Sequence, residues 1–217
     1  AWTFKVLDNQ AGLPQSLNLD TLEFVPEYDL HNLREAMHAL YALTRYRGSD
    51  KALRFAEKMI DGVDAFFRYE VGMWNEAAFL EANGGRTLYS CGTSLPASFG
   101  RYIGPLVKLY EATGLETALA QAVRLKDCLF EYVFLEDGSF DAFAFGKHTH
   151  SVTSTLSSLA QLGAALQDRA ILGRVERFMN NGLHAISIPS GWSTEGYDRT
   201  DHYGELNNTS DIMETCL

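Results

Sequence analysis

The stretch "HALYALTRYRGSDKALRFAEKM", residues 38–59, sets two apolar runs at helical spacing around one short polar turn. Leu33, Met37, Leu40, Tyr41 and Thr44 recur at i, i+4, i+7, i+8 and i+11, one face of a 3.6-residue period, with Asp29 placed to cap the start. Beyond "RGSD", Leu53, Ala56, Ile60, Val63 and Phe67 mark a second helix. The pattern returns in "VKLYEATGLETALAQAVRL", residues 107–125, and in "SSLAQLGAALQDRAILGRVERFM", residues 157–179. These passages lie on a third helix (Phe99, Tyr102, Ile103, Leu106, Val107, Tyr110), a fourth (Leu119, Val123, Leu129, Val133), a fifth (Val152, Leu156, Leu159, Ala160) and a sixth (Ile171, Val175, Phe178, Met179). A seventh begins near Thr209. Helix, tight turn, helix at a period of roughly 50–70 residues predicts an all-α array of helix hairpins, stacked as a solenoid or closed as a toroid. No sheet larger than a small loop hairpin is expected.

The turns within pairs are short, whereas the links between pairs are long: about 30 residues (68–97), about 16 (135–150) and about 25 (184–208), well beyond a typical helix connection. Antiparallel pairing puts all the long links at one end, and long loops on a rigid scaffold are where binding and chemistry concentrate. Their contents agree. They carry Tyr28, Asp29 and His31, then Trp74, Asn75, Glu76 and Arg86, then Lys147, His148 and His150, and finally Trp192, Glu195, Tyr197, Asp198, His202 and Glu205. Aromatic rings beside carboxylates and imidazoles suit carbohydrate, because sugar C–H faces stack on Trp and Tyr while hydroxyls bond polar groups.

The bulk properties remove other classes. The 217 residues are 46% hydrophobic and 21% charged, which fits a globular chain and not a disordered one. A net charge of −10 and a pI near 5.0 repel nucleic acid and anionic membrane, so neither is expected as a partner. No apolar run approaches the roughly 20 residues of a membrane span. Residues 1–20 lack the basic start and apolar middle of a signal peptide, so a cytoplasmic location is expected, with the periplasm open to a trimmed chain. Cys91, Cys128 and Cys216 are odd in number and widely spaced, which is no disulfide framework. Cys128 lies on an apolar helical face and reads as a buried, inert thiol.

Glycoside hydrolysis needs two carboxyl groups flanking the scissile bond. Glu195 stands in "GWSTEG" beside the Trp192 indole, where partial burial favours the protonated form a general acid needs. Glu205 in "HYGELNN" is the expected second carboxylate, although an acidic residue there also suits a helix N-terminus. In "KHTHS", His148 and His150 are two residues apart and do not share a helical face, which suits substrate hydrogen bonding better than chelation. Trp192, Tyr197, His148, His202, Asp29, His31 and Arg101 are the expected substrate contacts; Arg101 and Arg34 open their helices on the same side and suit either an acidic sugar or a salt bridge. Two other functions fit the same residues. A polysaccharide lyase would use His150 or Tyr197 as base with Arg101 neutralising a uronate, and a non-catalytic helical repeat would bind glycan or protein; the long, dissimilar loops on one end count against the last.

The hairpin array, the start "EYDLHNLREAMHALYALT" (27–44), the "GW…E" loop and the helix start "GELNNTSDIMETC" (204–216) resemble the six-hairpin α/α-toroid glycosidases, among them the beta-L-arabinofuranosidase family and its uncharacterised relatives. The resemblance implies one toroid domain over residues 1–217, about half of a six-hairpin ring, cut short at its C-terminus and prone to self-association through uncovered flanks. It implies Glu195 as acid/base, and Glu214 and Cys216 as zinc ligands of an "E-x-C" step. In that family a later adjacent cysteine pair completes the zinc site and supplies the nucleophile. No such pair follows here, so no zinc is expected in this chain, and the "GELNN" segment departs from the family pattern.

Overall fold

The computed structural model describes residues 2–88, 95–140, 148–188, 191–195 and 204–217. The sequence stripes fall on helices. After a short α1 (Trp2–Leu7) come α2 (Leu33–Arg47) and α3 (Asp50–Phe66), then α5 (Ile103–Thr113) and α6 (Glu116–Tyr132), then α7 (Thr149–Leu166) and α8 (Arg169–Asn181), and finally α9 (Leu206–Cys216). A further helix, α4 (Glu76–Asn83), lies inside the first long link.

Each hairpin turn is built alike. One residue in the left-handed region is followed by one extended residue at the next helix N-cap: Gly48 (φ 59°) and Ser49, Gly114 (φ 72°) and Leu115, Gln167 (φ 53°) and Asp168. The left-handed residue returns its N–H to the carbonyls of the helix it ends, and Ser49 and Asp168 accept N–H bonds from the next. Two residues leave no room for anything but antiparallel packing.

The pairs stack in two layers. Helices α2, α5, α7 and α9 neighbour one another in that order, while α3, α6 and α8 pack behind their partners. Leu33, Met37 and Leu40, Ala56, Ile60 and Val63, Ile103 and Leu106, Leu125 and Leu129, Val152, Leu156 and Leu159, and Ile171 and Phe178 are buried between the layers. Small residues bring α5 and α7 close: a Cβ on Gly100 would lie 2.5 Å from Thr155 Oγ1, and one on Gly104 would lie 2.9 Å from Ser158 Oγ. Helix α7 faces this contact with hydroxyls bonded back to their own helix, Thr155 to the Ser151 carbonyl (2.6 Å) and Ser158 to that of Ser154 (2.8 Å).

Three sequence expectations need correction. A three-stranded sheet, larger than a loop hairpin, orders β1 (Gln15–Leu17), β2 (Phe24–Tyr28) and β5 (Arg86–Thr87), with β2 and β5 parallel; β3 (Phe67–Arg68) and β4 (Met73–Trp74) form a separate hairpin. Strands this short carry no readable alternation. Trp74, Asn75, Glu76 and Arg86 hold the loop together. Trp74 stacks on Phe99 (centroids 5.7 Å), Asn75 caps α4, Glu76 accepts the Thr87 N–H (2.9 Å) and Arg86 pairs with Glu27 (2.7 Å). Asp29 caps a 3-10 turn, Leu30–Asn32, just ahead of α2.

The turn geometry is testable. A Cβ at Gly114 would meet open space, so a side chain there is costly only through its φ, whereas Gln167 already bears that cost. Gln167→Gly should stabilise the protein by about 0.5–1 kcal/mol and Gly114→Ala should destabilise it by about 1 kcal/mol, read as opposite shifts of the urea midpoint at constant m.

Candidate functional site

The N-termini of α2, α5, α7 and α9 open at one end, and the polar residues there form a continuous network. Arg101, two residues ahead of α5, is 2% exposed, so its charge needs a partner. It donates to Glu35 Oε1 (2.5 Å) on the first turn of α2 and lies 2.7 Å from His31 Nε2. The His31 ring meets the His148 ring edge-on, centroids 5.5 Å apart, and His148 meets His150 likewise at 5.8 Å. His150 places Nε2 3.3 Å from Asp211 Oδ2 and Nδ1 3.7 Å from Glu205 Oε2. Thr153 donates to Asp211 (3.0 Å), and Arg34 reaches its other oxygen at 4.0 Å.

The loop ahead of α9 delivers Glu195 and Trp192. Ser187 and Ser193 bridge across a tight reversal at Gly191 (φ 85°), and Ile188 donates its N–H to the Trp192 carbonyl (2.9 Å). The loop is anchored on α7, because the Glu195 carbonyl accepts both the Thr149 N–H (3.0 Å) and its hydroxyl (2.7 Å). Gly204 lies against the Trp192 indole, where a Cβ would fall 2.5 Å from the ring nitrogen. Glu195 Oε1 is 3.3 Å from His148 Nε2, whose other ring nitrogen bonds Ser151 Oγ at 2.6 Å. His148, Glu195 and Glu205 each offer one atom such that all three lie within 4.8 Å. Three such atoms would serve a divalent ion, or the two carboxylates can work as a pair.

Burial sets the charge of the imidazoles. Desolvation, reinforced by Arg101 and Arg34, lowers His150 to about 3, and desolvation with Lys108 and Arg34 lowers His38, on the same face of α2, to about 4. His31 is lowered by burial and then Arg101, and His148 by burial and then His31. Burial raises Asp211 to about 6 against the opposing bond from Thr153.

The structure thus brings together Glu195, Glu205, His148, His150, His31 and Arg101, with Trp192, 39% exposed, on the loop that carries Glu195. Tyr197 and His202 lie outside the described residues, as do Cys91, Lys147 and Asp198. Asp29 accepts the His31 N–H and the Asn32 amide, both at 3.0 Å, and so shapes the corner that carries His31. Glu214 and Cys216 are not gathered to one point. Helix α9 is regular through Cys216, so residues two apart point about 200° around its axis. Glu214 bonds Ser157 (2.5 Å) while Cys216 is exposed. Cys128 is buried and its thiol, pushed up to about 11 mainly by desolvation, is inert. Sequence reasoning missed Asp211, Glu35 and His38; the i, i+3 spacing of Glu35 with His38 and of Asp211 with Glu214 is the pattern that marks one face of each helix.

No family model and no curated protein matches the chain. Solved structures do. A polysaccharide lyase superposes with a TM-score of 0.57 at 10% identity, over 86% of this chain and 59% of that one. Cellobiose 2-epimerase from Bacillus thermoamylovorans gives 0.57 at 13%, over 97% and 66%. Unsaturated glucuronyl hydrolase from a Bacillus species gives 0.54 at 16%, over 84% and 53%. The chain therefore has the α/α-toroid hairpin fold, and it spans between half and two-thirds of the length of these proteins.

The titrations predict a pH dependence. Folded His38 and His150 titrate below the ordinary 6.5, so unfolding takes up their protons and stability falls on acidification from pH 6.5 towards 4. Asp211 opposes them: its folded carboxyl holds a proton up to about 6 and its unfolded one only to 3.8, so its contribution is lost as pH rises through that window. The histidines outnumber it, and the urea midpoint should fall between pH 6.5 and 4. Asp211→Asn removes the opposing group and should steepen that fall.

Proposed function

We propose that the protein is a carbohydrate-processing enzyme, and that its cleft is the site of a glycoside hydrolase with Glu195 and Glu205 as the carboxylate pair. The approach of these two side chains and His148 within 4.8 Å carries the reading. The likeness to a lyase, an epimerase and a hydrolase, all acting on saccharides by their names, supports the broader class by analogy of fold.

Carboxylates this close are nearer the ~5–5.5 Å of retaining enzymes than the ~6.5–9.5 Å that leaves room for a water in inverting ones. Glu195, one of whose oxygens is withdrawn from solvent, is the acid/base, and Glu205, 42% exposed, the nucleophile. Protonated Glu195 gives its proton to the glycosidic oxygen as the C1–O bond breaks, while a Glu205 oxygen bonds to C1. Water then attacks C1, Glu195 takes its proton, and the Glu205 ester bond breaks. His148 orients Glu195, and Trp192 offers an indole face to the sugar. Of the beta-L-arabinofuranosidase resemblance, Glu195 supports the acid/base role, whereas the separation of Glu214 from Cys216 gives no support to a thiolate nucleophile.

A lyase is the second reading, with His150 as the base, but the burial that lowers its imidazole to about 3 makes it a weak proton acceptor. Its charge-neutralising partner, Arg101, is buried and engaged with Glu35 and His31, which favours the hydrolase.

On a panel of 4-nitrophenyl glycosides, Glu195→Gln and Glu205→Gln should each lower kcat by about 10²–10⁴-fold, with the first-formed sugar retaining its anomeric configuration by NMR and activity persisting in EDTA. Products absorbing near the ultraviolet band of an unsaturated uronate, with no effect of either variant, would replace this reading with the lyase.

A further inference from the structure

A separate cavity of about 460 Å³ lies between α1, β1 and the start of α2, within the ~300–1,000 Å³ typical of small-ligand sites. Trp2, 60% exposed, lines it together with Asp29, Asn32 and Glu35, and with Gln15 and Ser16 from β1. We propose that this cavity is a binding subsite for a neutral sugar residue of a longer oligosaccharide whose reacting end lies at Glu195 and Glu205. The inference rests on the carbohydrate-processing reading above.

Three features carry it. The wall is preorganised: Asp29 is fixed by the His31 N–H and the Asn32 amide, and Glu35 by Arg101, so these acceptors need little ordering to receive hydroxyl donors. An exposed indole and several acceptors lining one cavity offer a sugar ring both an apolar face and hydrogen-bond partners. The cavity also adjoins the cleft through one side chain, since Glu35 lines it while bonding the Arg101 guanidinium that holds His31. Charge selects the ligand. The cavity is lined by Asp29 and by Glu35, whose charge Arg101 offsets, and no Lys, Arg or His lines it among the described residues, so a uronate meets no cation there and the uncompensated Asp29, whereas a hydroxyl-rich neutral ring finds acceptors.

Tryptophan fluorescence tests this without turnover. The chain has three tryptophans; Trp74 is buried, so Trp192→Phe leaves Trp2 as the accessible reporter. Titration with cellotetraose, xylotetraose, mannotetraose and maltotetraose should give a saturable change with at least one, and tetragalacturonate should give none. In the otherwise native protein Trp2→Ala should raise KM for the responding tetrasaccharide about tenfold, equivalent to one aromatic contact, while leaving a 4-nitrophenyl monosaccharide unaffected. Asp29→Asn keeps the acceptor for the His31 N–H, gives up the one for the Asn32 amide and removes the charge, so it should admit tetragalacturonate. Silence towards all four neutral tetrasaccharides, tighter binding of the uronate by the native wall, or equal effects of Trp2→Ala on long and short substrates would overturn the subsite. Binding that survives in Glu195→Gln without any hydrolysis by the native protein would instead retain the subsite and overturn the hydrolase.

Discussion

Two-residue turns are the constraint from which the rest of this molecule follows. A hairpin closed by one left-handed residue and one N-cap residue must run antiparallel, as at Gly48–Ser49, Gly114–Leu115 and Gln167–Asp168. Repetition then sets α2, α5, α7 and α9 parallel, and their N-termini meet at one mouth. Helix N-termini carry partial positive charge and unsatisfied N–H groups, so the mouth favours anionic side chains. Glu35 in the first turn of α2 and Glu205 at the N-cap of α9 place negative charge there, although the Glu205 side chain accepts no N–H bond from its helix. Of the two carboxylates proposed to react, Glu205 is thus at a helix end, whereas Glu195 is held by the loop that its carbonyl anchors to Thr149.

Burial of Arg101 ties the mouth together. A guanidinium at 2% exposure needs partners, and Glu35 on α2 engages Nη2 while His31, in the turn ahead of α2, meets Nη1. The close approach of α5 to α7, possible because Gly100 and Gly104 face Thr155 and Ser158, keeps Arg101 near the histidines that precede and open α7. Packing deep in the layer therefore fixes the spacing of groups at its rim.

Periodicity made the large helices legible, because apolar stripes such as Leu53–Ala56–Ile60–Val63 repeat over several turns and reveal the face that must be buried. Helices α1 and α4 are too short to show a stripe, and the strands have two to five residues each, so none stood out. At the site, Glu195, Glu205, His148 and His150 were legible as polar side chains in long loops ahead of helices. Asp211 was not: near a helix start an aspartate reads as an ordinary dipole partner, and only the packing of α9 on α7 places it against His150 and Thr153. Trp74 misled for the opposite reason, since an aromatic in a long loop looks like a sugar platform until Phe66, Phe79 and Phe99 surround it.

The same desolvation acts on both signs of charge at the mouth, and this separates the roles of its residues. It disfavours imidazolium at His31, His148 and His150 and disfavours carboxylate at Asp211, so the inner part of the site tends towards neutral, hydrogen-bonding groups. Such groups position a ligand more readily than they attack it. Glu195 and Glu205 stand further out, on and beside the loop that precedes α9, 31% and 42% exposed. The helices thus supply a rigid floor of imidazoles around the Arg101–Glu35 pair, and the loop brings Glu195 to it beside Glu205 at the N-cap of α9.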